Sequence, residues 1–367
     1  MKRLLEILPF YSLDEALEYL ENGGNLLPLH HVWCYDQFKK EGYEVLFIKN
    51  KPSGILGKIG KLIKIDNLQQ QVEVMRRAKE YDIIFDPFMQ FTFFIAVFRL
   101  LGLFNKPVIA IAQRAYVVNK KNPLKRLKQY LVRYVYFKGL DKIIFINKTL
   151  AAKSKNYKVQ GSTDYLRHWG ADHDFFERYN QEQQEPPKLN YIYATGGAAR
   201  DYNTLIQTFK KLDFDLHITA RPNFASELNI EIPANVYVDS SITPGLTSTG
   251  KLRKEYYNCL AVALPIKEDF SFAPFGSTVF FEAMAAGKAL IATDNKAFVF
   301  DIEKAGIGIL VDYYDREGWE KAINYLIDNP EKAKEMGRKG QQLSREVYNY
   351  FAFSKEIVQY TNALLNK

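Results

Sequence analysis

Short apolar, β-branched runs alternate along the chain with segments whose apolar positions recur every three or four residues, the pattern of a parallel sheet wrapped by helices. In the first half, Leu4–Leu8, Glu44–Ile48, Asp82–Phe85, Val108–Ala112 and Lys142–Ile146 predict strands, with Tyr165–His168 closing the series. Between them, Leu26–Glu41, Asn67–Glu80, Gln90–Phe104 and Leu124–Lys138 predict helices. The second half repeats the theme with strands at Asn190–Ala194, Asp215–Thr219, Val236–Asp239, Ala261–Leu264, Ala289–Ala292 and Gly308–Val311. The expected fold class is therefore α/β, with two doubly wound Rossmann-like domains in tandem.

A chain of 367 residues exceeds what one core usually organises, which agrees with two domains. The polar run from Asn180 to Lys188 ends in a proline pair directly before a strand and reads as a linker. Domain bounds of 1–180 and 189–345 follow, joined by 181–188. Residues 346–367 form a last helix that either crosses back to the first domain or stays on the second. The most apolar stretch, Gln90–Phe104, is shorter than the roughly 20 residues a membrane span requires and contains Arg99. It reads as a buried helix, with an interfacial helix as the alternative.

Hydrophobic residues at 47% and charged residues at 25% exclude a mainly disordered chain. Two cysteines, Cys34 and Cys259, cannot build a disulfide framework or a four-cysteine zinc site, although one disulfide remains open. A reducing compartment is expected, and the first residues carry no cleavable leader pattern. The net charge of +8 is uneven. Residues 1–180 hold 29 Lys and Arg against 18 Asp and Glu, whereas 181–367 hold 21 against 24. Lys106 to Lys158 contains fourteen basic residues and one acidic residue, Asp141, which points to an anionic partner. Within it, Leu124, Leu127, Leu131 and Tyr134 recur at helical spacing with cations between them. This is either a solvated helix face or a face that docks on an anionic membrane through Lys120, Lys121, Lys125, Arg126 and Lys128. Nucleic acid is not an expected partner, because no nucleic-acid motif accompanies the charge.

Neither a dinucleotide glycine fingerprint nor a P-loop occurs. The five histidines are too scattered for local metal-ligand spacing, and Asp172-His173-Asp174 reads as a strand-end turn, so no metal site is expected. Stronger chemistry lies in Phe275–Gly287, where small polar residues open a helix. The free N–H groups of such a helix start, with the Ser277 and Thr278 hydroxyls beside Gly276, suit a phosphate or diphosphate. Glu282 lies one to two turns further on, within reach of ribose hydroxyls. After the first strand of this domain, Gly196 and Gly197 let backbone approach a ligand, and Arg200 offers a positive fork for phosphate. Ordinary N-capping and a tight turn with a solvated arginine are the competing readings.

These residues resemble glycosyltransferases of the GT-B fold, and within them the nucleotide-sugar-dependent family 4. Four segments carry the likeness in order: Gly42-Tyr43-Glu44-Val45, Trp169–Phe176, Gly196–Tyr202 and Phe275–Thr293. The resemblance implies two Rossmann-like domains facing a cleft, with the donor on the second and the acceptor on the first. It also implies a nucleotide-diphosphate sugar as donor substrate, uridine diphosphate favoured, with no cofactor and no required metal. Two departures matter. The family's paired glutamates would place the first at Pro274, so only Glu282 matches, and Glu268 or Asp269 is left to take that role beside Lys267 on the donor side. Where the family often has a histidine after the fourth strand, this chain has Gln113-Arg114, taken as acceptor-binding. If transfer is inverting, the general base comes from the first domain: Asp86 at the end of its strand, or His30 or His31.

The expectation is a cytoplasmic glycosyltransferase, peripheral at the inner face of the plasma membrane, that acts on a glycan or lipid-linked glycan in cell-surface polysaccharide or glycoconjugate synthesis. A nucleotide-sugar epimerase of the same fold and a non-catalytic, membrane-anchoring pseudo-transferase are the alternatives. Donor turnover that depends on an acceptor separates the first from both.

Overall fold

The computed structural model describes residues 2–7, 19–20, 22–24, 27–48, 50, 53–65, 67–117, 122–154, 162–220, 224, 228, 230–240, 246–268 and 275–366. The chain divides into two compact units. The first comprises Met1–Glu15, Val32–Trp169 and Phe353–Lys367, and the second Ala16–His31 and Gly170–Ala352.

The first unit is a parallel six-stranded sheet in the order β2-β1-β3-β4-β5-β6. Its strands are β1 (Lys2–Glu6), β2 (Tyr43–Phe47), β3 (Ile83–Asp86), β4 (Val108–Ala112), β5 (Lys142–Phe145) and β6 (Thr163–Tyr165). Every residue of β3 and β4 is buried, as near-continuous apolar runs covered on both faces require. The helices are α1 (Tyr35–Lys40), α2 (Gly54–Leu62), α3 (Leu68–Arg76), α4 (Phe93–Leu100), α5 (Pro123–Gly139) and α6 (Lys148–Ser154). The Asn122 side chain accepts the Lys125 N–H and Pro123 fills the first position of α5, a strong start signal. Gly139 at its end lies against α4, where an added Cβ would meet the Ala96 carbonyl oxygen at 2.4 Å. Arg99 of α4 donates to the Gly139 carbonyl and to Asp141, both at 2.7 Å, which gives this apolar helix a polar anchor inside the unit. Among the described residues no helix is long and apolar enough to cross a membrane.

The second unit repeats the architecture in the order β12-β11-β10-β7-β8-β9, all parallel. Its strands are β7 (Tyr191–Thr195), β8 (Asp215–Thr219), β9 (Val236–Asp239), β10 (Ala261–Leu264), β11 (Ala289–Thr293) and β12 (Gly308–Val311). Helices α7 (His173–Glu182), α8 (Tyr202–Phe209), α9 (Leu246–Asn258), α10 (Ser277–Ala285), α11 (Arg316–Asp328) and α12 (Pro330–Glu346) surround it. Ile192, Ala263, Ile291, Trp319 and Ile323 lie in one continuous core.

Several expectations are corrected. The helix expected over Leu26–Glu41 is a 3-10 turn, Leu29–Val32, and a six-residue α1. Trp33, at φ 49°, interrupts the helical path between them. Helix α2 falls in a glycine- and lysine-rich segment that the apolar pattern left unassigned. The polar run after Glu182 is coil, but the units change at Trp169–Gly170, upstream of it, so α7 belongs to the second unit. Asp172 caps α7 by accepting the Phe175 N–H and also accepts the Leu29 N–H at 3.0 Å, which ties Leu29 to this unit. The last helix, α13 (Tyr350–Leu365), returns the chain to the first unit from Phe353 onward. There Tyr43 donates to Asn362 at 2.8 Å and Arg167 to Glu356 at 2.9 Å. Both cysteines are buried free thiols, Cys34 in the first unit and Cys259 in the second.

Candidate functional site

In each sheet the strand order reverses at one point, and ligands of open α/β sheets bind beyond the carboxyl ends of the strands at that switch. In the second unit the switch lies between β7 and β10. The turn after β7 and the loop after β10 are stitched there. Asp201 donates its N–H to the Pro265 carbonyl, Lys267 donates to the Ala199 carbonyl, and Ile266 donates to the Thr293 hydroxyl, each at 3.0 Å. Gly276 sits on this stitch. With φ at +87° and an added Cβ only 2.8 Å from Leu264, no other residue fits without strain. It is the N-cap of α10 and brings no capping side chain, so the helix start stands at the strand ends beside half-buried Ser277 and exposed Thr278. Gly196, Gly197, Lys267, Gly276, Ser277 and Thr278 are thus gathered at one edge of the sheet.

Arg200 departs from expectation. Its guanidinium is buried, and its Nε and Nη1 donate to the carbonyls of Thr195 and Ala198 at 3.1 and 3.0 Å. It staples its own turn instead of projecting from it. Gly196, at φ +101°, is required because a Cβ there would stand 2.6 Å from the Arg200 Nη2.

Glu282 is buried and meets three donors. Its Oε1 lies 3.2 Å from His30 Nε2 and 3.3 Å from His31 Nε2, and its Oε2 accepts the Tyr256 hydroxyl at 2.9 Å. Burial favours the neutral acid, but the histidine hydrogen bonds outweigh it and bring the pKa down to about 2. The Asp172 N–H donates to His30 Nδ1 at 3.0 Å, which places the imidazole proton on Nε2 facing Glu282. His30 is therefore neutral, in line with a pKa lowered by burial and by His31. This corrects its expected role as a base: both ring nitrogens are engaged, and His30 positions Glu282. His30, His31 and Glu282 lie close enough to suggest a cation site, with ligand atoms within 4.8 Å of one another. The donor set does not fit one, because a metal-bound imidazole donates its second N–H outward, whereas His30 Nδ1 accepts. A carboxylate has about four acceptor directions, and three are taken, so one is left for a ribose hydroxyl and a second hydroxyl would have to displace His31, the more exposed histidine.

Glu268 is exposed, its N–H donating to the Tyr314 hydroxyl at 3.3 Å. Asp269 and Pro274 lie outside the described residues, as do Lys120 and Lys121.

In the first unit the switch lies between β1 and β3. Asp86 ends β3 as expected, but it is wholly buried, accepts the Phe88 N–H at 2.9 Å, and is pushed up to about 7 by burial. Gln113 donates to the Pro87 carbonyl at 3.0 Å, and exposed Arg114 stacks over Tyr116. Glu6, which sequence reasoning passed over as a strand residue, ends β1. It is buried, neither carboxylate oxygen has a hydrogen-bond partner among the described residues, and burial beside Asp86 raises its pKa well above the ordinary range. A lone acid in the otherwise apolar run Leu4–Leu8 was the available signal.

The family described as "Glycosyl transferases group 1" matches residues 178–343, within the second unit. No curated protein matches the chain. Among solved structures, sucrose-phosphate synthase from Thermosynechococcus elongatus is similar over 100% of both chains at 16% identity, with a TM-score of 0.71. A glycosyltransferase from Rickettsia africae is similar at 15% identity over 99% of this chain and 98% of its own, with a TM-score of 0.64. HepE of Anabaena, solved with UDP and glucose, shares 13% identity over 99% and 100%, with a TM-score of 0.65. The group 1 match over residues 178–343 falls on a second sheet whose switch point carries the glycine turn and the α10 start, and with the two-domain GT-B fold of the whole chain it marks the protein as a glycosyltransferase enzyme.

Proposed function

We propose that this enzyme transfers a sugar from a uridine-diphosphate sugar to a glycan or lipid-linked glycan in cell-surface polysaccharide or glycoconjugate synthesis. The observation that carries the donor half is the gathering of the Gly196–Arg200 turn, the Lys267 loop and the α10 start at the switch of the second sheet. The HepE structures with UDP and with UDP-glucose support the choice of base. Diphosphate charge is met by the α10 N–H groups and Lys267, so no metal is required for donor binding. Asp86 is assigned the acceptor proton, since a carboxyl with a pKa near 7 is matched to general-base work near neutrality. Lys125, Arg126 and Lys128 are exposed on α5 beside exposed Leu124, Leu127 and Leu131, a surface suited to the anionic membrane that holds a lipid-linked acceptor.

The test is turnover of UDP-sugars with and without a polyprenyl-linked glycan. Release of UDP that depends on acceptor, persists in chelator and falls in Asp86→Asn while UDP binding is retained is the expected result. Donor turnover without acceptor, or none with any UDP-sugar, would remove the reading.

A further inference from the structure

Helix α2 is packed inside out. Its buried residues are Gly57 and Gly60, and Gly60 is so close to the following turn that an added Cβ would lie 2.7 Å from the Ile65 carbonyl oxygen and 3.2 Å from Leu68. Its large apolar side chains face solvent: Ile55 is 77% exposed, Leu62 82% and Ile59 41%. A surface helix of a globular unit buries its apolar stripe and shows its polar face, so an arrangement with glycine inward and leucine outward implies a covering on the outer side. Lys58 and Lys61 lie among these residues, Lys64 follows in the next turn, and α2 contains no acidic residue. The face is therefore both apolar and cationic.

We infer that α2 is a lipid-inserting element: its Ile55, Ile59 and Leu62 enter the acyl boundary of an anionic leaflet while its lysines reach the headgroups. Lysine stems lie along apolar surface and keep the ammonium in the polar layer, which a lipid surface accommodates, whereas lysine is depleted from protein–protein interfaces. The tight glycine packing on α3 gives the helix a rigid backing. Helix α2 packs on α3, α3 on α4 and α4 on α5. Right-handed crossovers place these helices on one face of the first sheet, so α2 and basic α5 share a layer. The inference rests on the membrane reading of α5 and adds to it a second contact that persists in salt, since apolar insertion survives screening that removes surface attraction.

The test compares three full-length proteins by co-sedimentation with vesicles of phosphatidylcholine alone and with phosphatidylglycerol added, in low and high salt. The three are wild type, Ile55→Ser with Leu62→Ser, and Lys125→Glu with Arg126→Glu and Lys128→Glu. Neither changed apolar side chain fills a core, so both variants are expected to keep the wild-type melting temperature and UDP response. The α2 variant is expected to lose about tenfold or more of the binding that remains in high salt, and the α5 variant chiefly the binding seen in low salt. If the α2 variant matches wild type while the α5 variant fails, the α2 inference falls and the α5 reading stands. If wild type binds no anionic vesicle, both fall. A wild-type dimer in sedimentation that the α2 variant converts to monomer would assign the face to a second copy and overturn the lipid occupant.

Discussion

The switch points of the two sheets occupy the same place in the same architecture, yet their buried acids are treated oppositely. In the second unit Glu282 is surrounded by His30, His31 and Tyr256 and is held ionised. In the first unit Glu6 has no hydrogen-bond partner among the described residues, Asp86 has few, and burial keeps both protonated to higher pH. Charge is fixed in advance where a nucleotide would be held by hydrogen bonds, and proton affinity is raised where a hydroxyl would be activated. Fold alone therefore does not set the chemistry of a switch point; the loops that reach it do.

The contrast breaks most sharply at Glu282. Replacing it with alanine strands the His30 and Tyr256 donors in a closed environment and should cost about 3–5 kcal/mol. Urea unfolding followed through Trp319, which lies in the second unit's core, checks this; a loss below about 1 kcal/mol would show that the three donors are not tied to the carboxylate.

The pH responses should oppose each other. His30 has a folded pKa below its unfolded value near 6.5, so its contribution is present above that pH and lost as acid protonates it. Glu282 adds a second loss between about pH 4 and 2. Asp86 has a folded pKa raised to about 7, so its contribution is complete below about pH 4 and is lost as pH rises to about 7. Asp86→Asn should accordingly stabilise the protein at pH 8 by about 2–4 kcal/mol and by almost nothing at pH 4. Urea midpoints across this range measure it, and a difference independent of pH would show that Asp86 is not held protonated.

The smallest effect is expected at Gly276→Ala, where a left-handed backbone and the contact with Leu264 should cost about 1–2 kcal/mol and weaken UDP binding. Unchanged stability would mean that the α10 start is not pinned to the strand ends.

Much of this was legible in the sequence because the signals are local. Buried parallel strands such as Val108–Ala112 are continuous apolar runs, and α10 with β11 follows one ordered block of small residues. What was not legible is long-range or inverted. His30 and Glu282 are 252 positions apart, so nothing in their spacing announces that one fixes the other. Arg200 carries the charge expected of a phosphate ligand, but it turns inward, and the Thr195 and Ala198 carbonyls of its own turn engage its Nε and Nη1. Helix α2 has apolar residues at helical spacing, yet glycines take the packed face, so a rule that apolar means inward assigns it the wrong side.

The most direct test of the donor site is calorimetric titration with UDP in the presence of chelator, on wild type and on Glu282→Gln, which keeps the side-chain shape while removing its charge. Wild type should bind, and the glutamine variant should bind about ten- to hundredfold more weakly, the loss of one charge-assisted contact of about 1.5–3 kcal/mol. No UDP binding by folded wild type at millimolar concentration, or equal binding by both proteins, would contradict the assignment of the second unit's switch point to the nucleotide.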